Sequence, residues 1–286
     1  MKDKICLITG ATSGIGKATA LKLANLGASL ILLSRNEKKG EKICNQIRKI
    51  NNNAQVKFYG VDISSMKEVR IISEKIKTDF DHIDVLINNA GARFDNYFKN
   101  DGGIELTFAT NHLGHFLLTL SLIEMLKKST QGRIINISSS AHTIGTQELD
   151  DIVAPLHYDR RVAYGRSKLA NLYFTYELNN KLKNTKITVN AVDPGGVATN
   201  FSRNNGLFPW AKHYVSYFLK LSLISPQKAA ETIVYLASSK EVSKTTGKYF
   251  FDHKEIKSSP ASYNNEAASK LWQLSSKLTE VDSLQI

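Results

Sequence analysis

Cysteine, proline, methionine and tryptophan are scarce in this 286-residue chain, with 2, 5, 3 and 2 copies respectively. Two cysteines, Cys6 and Cys44, exclude a disulfide-built scaffold and read as reduced thiols. With 5 prolines and 17 glycines, collagen-like and low-complexity architectures are excluded as well. No run of 18 apolar residues occurs, so no segment is expected to span a membrane. Internal repeats and Pro/Gly-rich linkers are also missing. Met1–Lys4 runs straight into an apolar stretch, which leaves no room for a leader peptide and points to a cytoplasmic location.

What is present is an ordinary globular composition, 42% hydrophobic and 22% charged, sufficient for a sizeable core. Lysine and arginine outnumber the acids by 38 to 26, a formal charge of +12. Such a charge suits nucleic acid, an anionic membrane, a polyanionic cofactor or a merely solvated basic surface. No zinc-finger spacing, helix-turn-helix signal or RNP motif accompanies it, so no nucleic-acid partner is expected.

Short β-branched runs alternate with amphipathic stretches through the first two thirds. Ile5–Thr9, Leu30–Leu33, Val56–Tyr59, Val85–Ile87, Arg133–Ile137 and Ile187–Ala191 read as strands, and Gly14–Leu26 as the first helix. The run near Ile134 is apolar almost throughout, as when both faces of a parallel sheet are covered. The alternation predicts an α/β fold, a doubly wound parallel sheet with helices on both faces, forming one domain over 1–286. Two stretches fall outside it: an aromatic insertion at about 200–225, with Phe208, Trp210, Tyr214, Tyr217 and Phe218, and a C-terminal helix at about 263–280 carrying Leu271, Trp272, Leu274 and Leu278.

Between the first strand and first helix lies Gly10-Ala11-Thr12-Ser13-Gly14-Ile15-Gly16. Glycine permits a sharp turn and a close backbone approach, and the helix N-terminus offers unpaired N–H groups to a pyrophosphate. A lone glycine pattern usually marks a plain turn, but here it follows a strand and opens a helix, the context of a dinucleotide site. After the second strand, where NAD(H) needs an acid, stand Ser34, Arg35 and Asn36. Arg35 suits a ribose 2′-phosphate, so NADP(H) is the preferred cofactor, with NAD(H) left open.

Four further motifs follow in order: Asn88-Asn89-Ala90-Gly91, Asn111 in a helix, Ser138-Ser139-Ser140, and Tyr164-Gly165-Arg166-Ser167-Lys168. With the glycine loop, the set resembles the short-chain dehydrogenase/reductase family over residues 4 to about 251. Asn111–Phe116, Ser138–His142 and Tyr164–Asn171 are similar to its retinol-dehydrogenase-like branch, which also includes the catalytic domain of WW-domain oxidoreductases. The fold is then a single-domain Rossmann type with strand order 3-2-1-4-5-6-7. Two departures stand out. No N-terminal anchor like that of membrane-bound retinol dehydrogenases is expected, and the usual His-Pro-Gly after strand six reads Asp193-Pro194-Gly195.

Tyr164 and Lys168 are i and i+4 on a helix and share one face. A neighbouring ammonium favours phenolate, so Lys168 is expected to lower the Tyr164 pKa by roughly 1–3 units and fit it for general acid/base work. Ser139 is assigned to polarising the substrate oxygen, on its 25-residue spacing to Tyr164 and the branch pattern, with Ser138 and Ser140 chemically equivalent. The resemblance adds that Lys168 bonds the nicotinamide ribose and that Asn111 holds a water of the proton relay. It also implies Asp62 beside the adenine, Asn88, Ala90 and Gly91 along the cofactor, and Pro194, Gly195, Val197 and Thr199 around the nicotinamide, with Asn88 partly a strut of the sheet. His112 and His115 lack companion ligands, so no metal is expected, and His142 and His157 are weaker candidates still.

These readings converge on an NADP(H)-dependent oxidoreductase acting on a small carbonyl or alcohol, lipophilic if the aromatic insertion lines the pocket: a retinoid, steroid or fatty aldehyde. The insertion equally suits core packing, a subunit interface or a peripheral membrane contact. Leu172, Tyr173, Tyr176 and Leu178 lie on a helix that often forms a homodimer interface in the family. The alternative function is a catalytically silent NADP(H)-sensing or regulatory protein. Retention of both Tyr164 and Lys168 argues against it.

Overall fold

The computed structural model describes residues 1–52, 55–146, 149, 151–197 and 224–281. The apolar runs become β1 Ile5–Thr9, β2 Ser29–Ser34, β3 Val56–Gly60, β4 Val85–Asn88, β5 Arg133–Ile137, β6 Thr188–Val192 and β7 Lys248–Phe251. A short β8, Lys254–Ile256, completes one sheet of order β3-β2-β1-β4-β5-β6-β7-β8. The first seven strands are parallel in the anticipated order, and β8 pairs antiparallel with β7. Asp252 and His253, both at positive φ, form the tight turn between them, matching the twist a two-residue hairpin needs. All three β8 residues are exposed, so no apolar period announces the strand.

Alternate residues of each central strand feed opposite cores. Leu7, Ile31, Leu33, Leu86 and Ile134 join the cluster under α3 (Met66–Asp79), α5 (Gly114–Ser121), α6 (Ile123–Lys127) and α7 (Arg160–Lys181). Cys6, Ile8, Leu30, Leu32, Ile87 and Ile135 join the one under α1 (Gly14–Asn25), α2 (Glu37–Ile50) and α8 (Pro226–Ser238). Burial on both faces explains why the strands read as unbroken apolar runs rather than as alternation. The helix α9 (Asn265–Thr279) lies over α7, with Leu271 and Tyr173 in one buried cluster and Trp272 against Phe116 and Phe174 at 5.0 and 5.9 Å between ring centroids.

That packing changes the reading of the α7 face. Leu172, Tyr173 and Leu178 are buried within the chain, and Tyr176 stacks on Tyr263 at 5.3 Å, so these side chains serve intramolecular contacts. Residues 198–223, which hold Thr199 and nearly all of the aromatic insertion, lie outside the described residues. No helix among the described residues is long and apolar enough to cross a membrane.

Candidate active site

The strand order turns around between β1 and β4, so the crevice for a ligand opens at their C-terminal ends. Thr9 ends β1 there, and Gly10 turns the chain at φ +67°, its N–H donating to the Leu33 carbonyl at 2.8 Å. A Cβ on Gly16 would stand 2.4 Å from the Gly10 carbonyl and 2.5 Å from the Asn89 amide nitrogen, so only glycine fits where α1 meets the Asn88–Gly91 segment. Asn89 Nδ2 donates to the Thr9 carbonyl at 2.8 Å, closing the two loops together.

Helices α2, α3, α7, α8 and α9 each begin with a side chain that accepts a first-turn N–H: Asn36, Ser65, Asp159, Ser225 and Asn264. Helix α1 does not. Ser13 makes no capping bond and the first turn contains no acid, so its N–H groups and dipole face the crevice uncompensated. This donor set fits a dinucleotide pyrophosphate held by Thr12, Ser13, Gly14, Ile15 and Gly16. Thr12 is tied down by a 2.8 Å hydrogen bond between its hydroxyl and that of Ser34.

Arg35 follows Ser34 with its side chain 61% exposed, and its guanidinium lies 3.8 Å from Asp62 Oδ2. The arginine meant for a 2′-phosphate and the acid meant for the adenine therefore face each other. Asp62 is held by Ser64, whose N–H and hydroxyl both donate to Oδ1 at 2.9 and 2.8 Å. Asn88 is buried and its amide donates to Thr119 and Asn136 at 2.9 and 2.8 Å, a strut between β4, α5 and β5.

Ser139, Tyr164 and Lys168 come together past the end of β5. Ser138 is buried with its hydroxyl on the Lys168 carbonyl, and Ser140 is exposed, which leaves Ser139 as the serine that meets Tyr164, by a side-chain hydrogen bond. Lys168 is buried, its ammonium 3.0 Å from the Ile137 carbonyl and 5.5 Å from the centre of the Tyr164 ring. Its expected effect on Tyr164 needs correction. Burial pushes the phenol up to about 12, against the lowering influence of Ser139 and Arg93, and the same burial brings Lys168 down to about 8. Desolvation outweighs charge attraction because both groups are withdrawn from water together.

Asn111 lies in a π-turn, Ala109–Leu113, that joins the short α4 (Leu106–Phe108) to α5. Its amide bonds protein groups: Oδ1 accepts from Ala92 N at 2.7 Å, and Nδ2 donates to the Ala92 carbonyl and Ser167 Oγ at 2.9 Å each. The side chain is thus a clamp on the segment after Gly91. Ala90 and Gly91, half-buried, border the crevice beside Thr9. Pro194, Gly195 and Val197 follow the C-terminal end of β6, and Gly195 takes φ +79°.

Three contributors escaped the motif reading. Arg93 reaches the field of Tyr164. His115 bonds Thr9 and the Asn111 carbonyl. Asp193, the acid in place of the usual histidine, is buried, accepts from Gly195 N at 2.9 Å and from the Tyr249 hydroxyl at 3.3 Å, and adds its field to Tyr164 and Lys168. The signals were a cation two residues past Gly91, a histidine inside an apolar helix, and an acid closing an apolar strand. His112 and His115 are each held by protein partners, His112 Nε2 by Ser275 Oγ at 2.9 Å.

Comparison with known proteins agrees with this geometry. The family model for short chain dehydrogenases matches residues 4–208. Retinol dehydrogenase 12 of Mus musculus is 39% identical over 275 residues, 96% of this chain and 86% of that protein. Retinol dehydrogenase 14 of Homo sapiens is 36% identical over 288 residues, with 96% and 86% covered. Among solved structures, an uncharacterized protein from Mycobacterium paratuberculosis superposes with a TM-score of 0.78 at 29% identity, over 98% of this chain and 94% of that one. A short chain dehydrogenase from Shigella flexneri complexed with NADP shares the fold, with a TM-score of 0.68, 23% identity and 89% and 98% coverage. The family uses NAD(H) or NADP(H) on small-molecule substrates. With its switch-point glycine loop and the Ser139–Tyr164–Lys168 cluster, the chain belongs to the short chain dehydrogenase family, in its retinol-dehydrogenase-like branch, and is an oxidoreductase.

Proposed function

We propose that the chain is one NADP(H)-dependent domain that interconverts a lipophilic carbonyl and its alcohol, with Tyr164 as general acid and base. The observation that carries this reading is the Ser139–Tyr164 hydrogen bond with buried Lys168 one helical turn behind it. Bound NADP(H) supplies the hydride in reduction and accepts it in oxidation. Ser139 donates a hydrogen bond to the substrate oxygen, and Tyr164 gives that oxygen its proton as the alcohol forms. Lys168, as an ammonium, steadies the phenolate left behind, which makes the high-lying phenol usable. Asn111 keeps the 90–92 segment seated against α7 through Ala92 and Ser167.

Thr12, Ser13, Gly14, Ile15 and Gly16 would hold the pyrophosphate, Arg35 the 2′-phosphate, and Asp62 the adenine side. Asn88, Ala90 and Gly91 would line the middle of the cofactor, Tyr164 and Lys168 its ribose, and Pro194, Gly195 and Val197 its nicotinamide. The retinol dehydrogenases among its relatives support a retinoid or another long apolar alcohol or aldehyde as substrate. Free, buried Cys6 and Cys44 support a reducing compartment such as the cytoplasm.

The test is NADPH oxidation over aldehydes and ketones of graded chain length, with Tyr164→Phe as control. We expect turnover to favour long apolar substrates and to fall about 10²–10⁴-fold in the variant, with NADPH still bound. Undiminished turnover in Tyr164→Phe overturns the mechanism.

A further inference from the structure

Lys168 and Asp193 are opposite charges buried on adjoining elements, and each is bonded only to neutral partners among the described residues. The ammonium donates to the Ile137 carbonyl at 3.0 Å. The carboxylate accepts from the Gly195 N–H and the Tyr249 hydroxyl. Lys168 is 3% exposed and Asp193 7%, so water compensates neither charge fully. A charge left alone in such surroundings is costly, and an opposite charge nearby in low dielectric offsets that cost.

The sheet register brings them near. Ile137 of β5, whose carbonyl holds the ammonium, stands opposite Val192 of β6, and Ser138 N donates to the Val192 carbonyl at 2.9 Å. Asp193 is the next residue, pinned from its other side by its own N–H on the Phe250 carbonyl of β7 at 2.8 Å. Tyr249 continues the shell, its ring edge-on to His142 at 5.4 Å, and His142 Nδ1 donates to the Ser139 carbonyl at 2.7 Å.

We propose that Asp193 is a positioning residue, the buried counter-ion that keeps Lys168 an ammonium behind Tyr164 while its carboxylate ties down the 193–195 turn. The inference rests on the Tyr164–Lys168 reaction given above. Among the described residues, the other groups whose fields reach the pair are Arg93 from the segment after β4, His115 from α5, and Tyr249 from β7. His115 is held neutral by burial, and burial pushes the Tyr249 phenol up, so of these described groups Arg93 and Asp193 contribute charge near neutral pH. Arg93 opposes protonation of the pair and Asp193 supports it. Removing the carboxylate charge therefore lets the first proton leave Tyr164–Lys168 at lower pH.

The experiment is an NMR titration of the cofactor-free protein carrying 13C-labelled lysine, with the Lys168 signal assigned by its loss in Lys168→Met. Asp193→Asn and Asp193→Ser both keep an acceptor for Gly195 N and remove the charge. We expect both variants to fold and the Lys168 midpoint to drop by about one unit, a tenfold weaker proton affinity. The pH profile of kcat/KM for alcohol oxidation is expected to shift the same way. A wild-type midpoint in both folded variants would confine Asp193 to the turn and overturn the proposal. Failure of both to fold overturns it too, by making Asp193 a structural strut. Absent turnover in the wild type overturns the proposed reaction, while the Lys168 midpoint decides the role of Asp193 alone.

Discussion

The imidazole of His115 spans Asn111 and Thr9: Nδ1 meets the Asn111 carbonyl at 3.0 Å and Nε2 the Thr9 hydroxyl at 2.9 Å. A carbonyl only accepts, so the ring proton sits on Nδ1, and Nε2 must accept from Thr9. Thr9 Oγ1 in turn accepts the N–H groups of Asn89 and Ala90 at 2.9 and 2.8 Å. One neutral histidine thus ties the Asn111 helix to the loop expected to border the cofactor.

Thr9→Val is nearly isosteric yet removes the donor to His115 and the acceptor of both N–H groups. Leaving those buried groups unpaired is expected to cost about 2–4 kcal/mol of stability and to weaken NADPH binding. Urea denaturation and cofactor fluorescence titration read the two effects. Wild-type values in both would show that the linkage does not support the loop.

Acid should destabilise the fold well above the usual carboxylate range. Burial lowers His115 to about 4 and His112 to about 3. An unfolded histidine titrates near 6.5, so below that pH the unfolded chain binds protons that the folded chain refuses. Stability present above about pH 6.5 is therefore lost on acidification toward 4, at about 1.4 kcal/mol per pH unit for each histidine. Denaturation midpoints measured across that window should fall steadily, and a flat profile would contradict neutral, buried imidazoles.

Arg35→Ala separates the two cofactors. Among the described residues the exposed guanidinium has only the long 3.8 Å contact with Asp62 to give up, a weak competitor for a 2′-phosphate. The Kd for NADPH is expected to rise about tenfold while that for NADH stays unchanged. Equal losses for both would remove Arg35 from cofactor selection.

The α/β alternation, the glycine loop and the Tyr164–Lys168 pair were legible because each depends on short-range geometry. Strands buried on both faces must be apolar along their length, as Ile134 and Ile135 are, and residues four apart on a helix must share a face. Strand β8 was not legible, since its exposed residues pair only because Asp252 and His253 turn the chain back onto β7. The π-turn at Asn111 was equally silent, being a one-residue departure within a continuous helical run.

Local sequence determined which groups the proposed chemistry rests on: Ser139, Tyr164, Lys168 and the glycine loop after β1. Tertiary structure alone decided their electrostatics, because desolvation and charge separation depend on what the other elements bring near. That is why Tyr164 rises where a neighbouring lysine predicted a fall, and why Arg35 faces Asp62. It is also why Asp193, one anomalous letter at the end of a strand, becomes a buried carboxylate within the field of Lys168.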